Sequence, residues 1–256
     1  MTESDLRRMI WEALNTLHIR ERVIRMSLEQ SEDKTELLEQ AEQYVKGQLQ
    51  YDSSGHDWWH IYRVRKMAVA LAKQEGANVT ICELAALLHD VADAKLNPSK
   101  EEGLNKVQDW LQGRDLEKQD LEKQDLAHVM DIIANMSYSG GHSVPLQTLE
   151  GKIVQDADRL DAIGAIGIGR AFAYGGSRGR LMHKPGTVAQ EFATEEEYRS
   201  HQGTTIQHFD EKLLKLRNLM STEAARRAAD RRHAYMEGFL KQFEREWEAE
   251  DLFDGE

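Results

Sequence analysis

Five side chains able to hold a divalent cation stand where helical periodicity asks for apolar residues. His60 begins the buried stripe of GHDWWHIYRVRKM, His89 and Asp90 close LAALLHD, and Asp156 and Asp158 interrupt IVQDADRLDAIGAIGI. A lone imidazolium or carboxylate is costly to bury, so groups placed this way need partners. Two histidines and two carboxylates meeting at one ion would satisfy one another. The order along the chain is H, then HD, then D, with Asp156 and Asp158 both open as the last member. A mixed nitrogen and oxygen set with room for water suits Mn²⁺, Mg²⁺, Fe²⁺, Co²⁺ or Ni²⁺ better than a closed structural zinc site, which prefers thiolates.

The elements that must position these groups are helical throughout. Residues 3–29 carry Ile10, Leu14, Leu17, Ile19 and Val23. TELLEQAEQYVKGQLQ places Leu37, Leu38, Ala41, Val45 and Leu49 near one face. A helix from Asp57 to Glu75 carries Ile61, Val64, Met67, Ala68 and Leu71, and Gly76 ends it. Capping boxes are expected at Thr80/Glu83, Ser99/Glu102 and Thr194/Glu197. The tandem LEKQD copies read as a solvated helix entry ahead of a helix from Leu126 to Met136. One or two helices follow from Leu146 to Ala173, then an irregular stretch from Tyr174 to Ala193. Two long helices are expected between Gln207 and Glu250. The first carries Phe209, Leu213, Leu216 and Leu219, and the second Tyr235, Phe239, Phe243 and Trp247. No run alternates as a strand would, so the fold class is all-α.

The 256 residues allow a substantial core, and only 3 prolines interrupt them. Hydrophobic residues make up 40% and charged residues 30%, as in a globular protein with a highly charged surface. A net charge of −12 argues against a nucleic-acid backbone as the partner, though a local pocket could still take a small phosphorylated ligand. No apolar run is long enough to span a membrane, and the first residues do not read as an export signal. With a single cysteine, Cys82, the expected location is the cytoplasm.

The blocks GHDWWHIYRV, LAALLHDVADAK and VQDADRLDAIGAIGIGRAFAYGG, in that order, resemble the HD superfamily of metal-dependent phosphohydrolases. The resemblance implies a compact multi-helix HD-domain fold over residues 34–250, leaving 1–33 as a helical extension without an assigned role. Carried over by position, it implies one divalent ion held by His60, His89, Asp90 and Asp158, with Asp158 in the ADRL position. Asp156 and Asp161 then become supporting or helix-packing groups. An acidic residue three after the ligand Asp serves proton transfer in related enzymes, which makes Asp93 the acid/base candidate. An α-helix would place Asp93 on the face of His89; pairing with Lys95 is its ordinary alternative. Lys95 and Arg63 are expected to bind phosphate oxygens, with Lys95 assisting catalysis. His56 is expected at the pocket mouth, and His208 and Lys212, with Arg178, Arg180 and Lys184, around a phosphate pocket. The implied activity is hydrolysis of a nucleotide phosphoester or phosphoanhydride by metal-activated water, on a small phosphorylated substrate, with homo-oligomerisation left open. A dinuclear phosphodiesterase-like enzyme drawing on His128 and His142 is one alternative. A non-catalytic nucleotide- or metal-binding regulator is another.

Overall fold

A computed structural model describes residues 36–49, 57–93, 96–114, 122–136, 146–190, 201 and 203–253. The 1–33 extension, the Thr194/Glu197 pair, His56, Lys95 and His142 lie outside these residues. The described residues are helical, without a strand, as the absence of alternating runs predicts. None of their helices is long and apolar enough to cross a membrane.

Helix α1 (36–49) buries Leu37, Ala41, Val45 and Leu49, an i, i+4 row. Helix α2 (Trp58–Glu75) starts at Asp57, whose Oδ1 accepts from the His60 backbone N–H at 2.9 Å, and stops at Gly76 in the left-handed conformation, φ 74°. Its buried face of Ile61, Val64, Ala68 and Leu71 packs on α3 (Val79–Leu88) and α6 (Leu149–Asp161). Burying Ile61, Val64 and Leu71 contributes about 1.5–3 kcal/mol for each side chain. Helix α3 is buried on nearly every side, Cys82 included. Burial first, and then the nearby Glu150 charge, push the Cys82 thiol up to about 12, so it is an inert core residue.

The Thr80/Glu83 expectation is corrected by the structure. The cap of α3 is Asn78, whose Oδ1 accepts from the Thr80 and Ile81 N–H groups at 3.1 and 3.3 Å. Asn is the stronger cap, and starting the helix there leaves Thr80 inside the first turn. Ser99 does cap α4 (Lys100–Gln112), accepting from Glu102 N–H at 3.1 Å. Helix α5 (Lys123–Asn135) begins within the second LEKQD copy, through a reciprocal box between Glu122 and Asp125.

The segment after Thr148 forms two helices, α6 and α7 (Gly164–Ser177), so the helix reaches past Tyr174 into the stretch expected to be irregular. The break is fixed at Gly164, φ 76°, where a Cβ would meet the Arg232 side chain at 2.9 Å. The first of the two expected tail helices is short and irregular. In this segment, α8, Thr205–His208 is α, Phe209–Leu213 is π and Leu214–Leu219 is 3₁₀. The changes of pitch keep Phe209, Leu213 and Leu216 buried and leave Leu219 outside. The second, α9 (Glu223–Trp247), is long, but its buried row is Ala225, Ala229 and Met236, whereas Tyr235 and Trp247 are exposed. Two carboxylates from elsewhere in the chain cap α9. Asp156 of α6, fully buried, accepts from the backbone N–H and hydroxyl of Thr222 at 2.8 Å each and from Ser221 N–H at 2.9 Å. Glu75 of α2 accepts from Ala224 N–H at 2.7 Å. Asp156 is therefore a helix-packing residue.

Helix α4 lies directly on the short turn that follows α3, because Gly103 has no side chain. A Cβ there would sit 2.5 Å from the Ala92 carbonyl oxygen. Gly103→Ala is expected to destabilise the fold by about 1–3 kcal/mol, the usual cost of overpacking. Chemical denaturation measures it, and an unchanged midpoint would contradict the close approach.

Candidate metal centre

His60 enters the interior because Asp57 starts α2 three residues earlier, which puts residue 60 on the same side as Ile61 and Val64. Its ring is 1% exposed. Nδ1 lies 2.8 Å from the Asp161 Oδ2 atom. Its other ring nitrogen, Nε2, points toward Asp90 Oδ2 at 3.4 Å and Asp158 Oδ1 at 3.5 Å.

The second histidine is presented differently. Helix α3 ends at Leu88, and His89–Ala92 turn as a 3₁₀ helix. His89 Nδ1 donates to the Ala86 carbonyl at 2.8 Å, which places a ring proton on His89 Nδ1. His89 Nε2 is buried and has no hydrogen-bond partner among the described residues. It stands 3.3 Å from Asp90 Oδ1. The His60 and His89 rings meet edge to face, 5.5 Å between centroids. The turn is clamped from below by the Asn97 amide, which donates to the carbonyls of Val91 and Asp93 at 2.8 and 2.9 Å.

Asp158 comes from the third element, α6, and its side chain is 40% exposed. It is thus the member of the group that faces solvent. Ligand atoms of His60, His89 and Asp158 lie within 4.8 Å of one another. Metal–ligand bonds of about 2.0–2.2 Å place opposite ligands roughly 4 Å apart, so the spread matches a coordination sphere. The three imidazole–carboxylate separations, 3.3, 3.4 and 3.5 Å, exceed the about 2.7–2.9 Å of a charge-assisted hydrogen bond. Two imidazoles with their Nε2 atoms turned inward and two carboxylates are a donor set that fits a divalent cation.

Asp161 sits one helical turn beyond Asp158, 1% exposed. Besides His60 it accepts from Arg63 Nε at 2.7 Å, Arg63 Nη2 at 2.9 Å and Arg170 Nη1 at 2.8 Å. Burial alone would raise its carboxyl. The hydrogen bonds from His60 and Arg63, with the Arg170 charge, instead hold it well below the usual carboxylate range. Arg63 thus lies beside the centre as its spacing from His60 predicts, with its guanidinium engaged by Asp161. Arg170, on α7, is a member that sequence reasoning missed, since nothing in its flanking residues distinguishes it from a surface arginine.

Asp93 follows the turn with extended backbone, φ −64° and ψ 135°, and is half-buried. Asp93 is not in α-helical register with His89, because the intervening residues are 3₁₀. His208 and Lys212 occupy α8 next to Arg180, while the Arg178 and Arg180 guanidinium groups lie 5.4 and 5.8 Å from the Tyr174 ring. Burial first, and then the Lys212 and Arg180 charges, push His208 down to about 4. A free histidine titrates near 6.5, so the stability gained by keeping His208 neutral is complete above about pH 6.5 and is lost as the pH falls toward 4. Urea unfolding at pH 7 and pH 5 is expected to show this loss in the wild type and a smaller one in His208→Gln. Equal losses would contradict it.

Residues 58–163 match the family described as the HD domain. The uncharacterized protein YpgQ of Bacillus subtilis (strain 168) is 36% identical over 214 residues, which cover 82% of this chain and 94% of YpgQ. The crystal structure of an HD-superfamily hydrolase from Bacillus thuringiensis is 50% identical, covers 84% of this chain and 99% of its own, and superposes with a TM-score of 0.66. The crystal structure of Bacillus subtilis YpgQ in complex with ADP is 34% identical, covers 82% and 97%, and gives a TM-score of 0.61.

Proposed function

The chain belongs to the HD domain superfamily of hydrolases, and from that membership we propose that it hydrolyses a phosphoester or phosphoanhydride bond of a nucleotide with the help of one divalent cation. The observation that carries the reading is the meeting of His60, His89, Asp90 and Asp158, with both Nε2 atoms turned inward. These four residues would hold the ion, of the Mn²⁺, Mg²⁺, Fe²⁺, Co²⁺ or Ni²⁺ class. When bound, the ion supplies Lewis-acid chemistry, making a water more acidic and drawing charge from phosphoryl oxygens. The partly exposed Asp158 leaves the substrate an approach on its side of the group. The ADP complex of YpgQ supports a nucleotide as the substrate class.

The remaining roles belong to the chain itself. Asp93, adjoining the turn that carries His89 and Asp90, moves a proton during hydrolysis. Lys95 binds a phosphate oxygen and stabilises charge on the transferred group. Arg63, already oriented by Asp161, contributes positive charge beside His60. His56, His208 and Lys212 contact the more distant parts of the substrate. One ion is favoured over two because His128, a histidine the dinuclear alternative would need, is engaged elsewhere. Its Nε2 lies 2.9 Å from Thr148 Oγ1 at the start of α6, roughly 15 Å along that helix from Asp158.

The test is a screen of phosphate and pyrophosphate release over nucleotides with each of the five cations added. Product accumulating linearly with time beyond one equivalent supports the enzyme over a binding regulator. The absence of turnover with every nucleotide and every cation would overturn the proposal.

A further inference from the structure

The His60 ring has a carboxylate at each edge. Asp161 Oδ2 is 2.8 Å from Nδ1, while Asp90 Oδ2 and Asp158 Oδ1 are 3.4 and 3.5 Å from Nε2. A neutral imidazole has one proton to give, and either edge offers an acceptor. On Nε2 the proton would point at Asp90 and Asp158 and remove the lone pair an ion needs. On Nδ1 it leaves that lone pair aimed into the centre. The choice of tautomer is therefore a competition between carboxylates, two of them in the donor set and one behind it.

We infer that Asp161 is a positioning residue for His60: its carboxylate keeps the ring proton on Nδ1, and Arg63 and Arg170 hold that carboxylate in place. Distance favours it, since 2.8 Å is a full hydrogen bond and 3.4 Å is beyond the usual range for an N–H donor. Immobility favours it as well. Asp161 Oδ2 accepts from His60, Arg63 and Arg170, and Oδ1 accepts from Arg63 Nε, so donors from α2 and α7 fix both oxygens. A carboxylate held this way cannot rotate to follow the ring; the ring must turn to meet it. The spacing explains how α6 supplies both jobs. Residues three apart on a helix differ by about 60° in direction, so Asp158 and Asp161 can reach opposite edges of one imidazole. Two arginines for one buried acid also explain how that acid stays ionised in the interior, as burial of a carboxylate requires.

The inference rests on the metal-centre reading for its purpose, and the experiment separates the two. Ring ¹⁵N–¹H spectra of histidine-labelled, ion-free protein at about pH 9, where histidines are neutral, report the tautomer directly. Wild type is expected to show His60 with its proton on Nδ1, and Asp161→Leu to show it on Nε2. Competition dialysis with Mn²⁺ is expected to show an affinity lower by about 10–100-fold in Asp161→Asn and Asp161→Leu, the range typical of lost outer partners of a ligating histidine. Arg170→Gln, which keeps the carboxylate, is expected to lose less. If His60 keeps its proton on Nδ1 in Asp161→Leu and the Mn²⁺ affinity of both variants matches wild type, the assignment is overturned. Should the Asp161 variants fail to fold, Arg170→Gln carries the test, and unchanged affinity there overturns it. A wild type with the Nδ1 proton that takes up no ion refutes the metal-centre reading while supporting the positioning of the ring.

Discussion

Replacing His89 and Asp90 together by alanine is expected to remove both bound ion and hydrolysis from a protein that still folds. Both side chains sit on one 3₁₀ turn, and both face His60. Their removal leaves His60 and Asp158, too few donors for a transition-metal ion in competition with water. The loss must exceed the about 10–100-fold expected from an outer partner, since here the ligands themselves are gone. Activity should fall below detection. The backbone of the turn keeps its own support from Asn97 and the packing of Gly103, so helical content should persist. Metal analysis after dialysis, a circular dichroism spectrum and a product assay make the measurement. Wild-type turnover in the double variant would place the reaction elsewhere in the protein.

Asp93→Asn is expected to keep the ion and lose turnover. General acid–base groups contribute about 10²–10⁴-fold, so kcat should fall by that order while metal content stays near one ion per chain. Asn keeps the shape and hydrogen-bonding capacity of Asp but cannot exchange a proton. The position supports the role, because Asp93 follows the ligand-bearing turn directly and is only half-buried. Lys95→Ala makes the useful contrast. A group that binds a phosphate oxygen in the ground state raises KM when removed, as well as any effect on kcat. Normal kcat in Asp93→Asn would return this residue to a structural part at the end of the turn.

His60, His89 and Asp90 were legible because burial is: they interrupt apolar rows, and a polar group in such a row needs a compensating partner. Asp158 came from the family resemblance instead, since the buried acid of its segment is Asp156 and Asp158 is 40% exposed. Helix existence was legible from burial too, in rows such as Leu37, Ala41, Val45 and Leu49. Local geometry was not. Nothing in HDVAD distinguishes a 3₁₀ turn from another turn of α-helix; α4 packs against that turn through Gly103, a contact that no local pattern records. Thr80/Glu83 is a valid capping pattern that loses to Asn78 two residues earlier. In α8 the core selects Phe209, Leu213 and Leu216, and the backbone changes pitch to deliver them. Arg170 was illegible for a further reason. Its partner, Asp161, is on another helix, and an arginine's reach carries no periodic signal.

The donors of the centre come from α2, from the turn after α3 and from α6, three elements brought together only by the finished fold. An unfolded chain has no comparable cluster, so an ion that binds there binds the native state alone. Its concentration then acts as a lever on the melting temperature. At about a hundred times its dissociation constant, a ligand of this kind adds about 2.7 kcal/mol to stability. Heating the protein against a panel of divalent salts would rank the cations by the rise each produces, with no substrate in hand. The cation that delays melting at the lowest concentration is then the one to carry into the nucleotide screen.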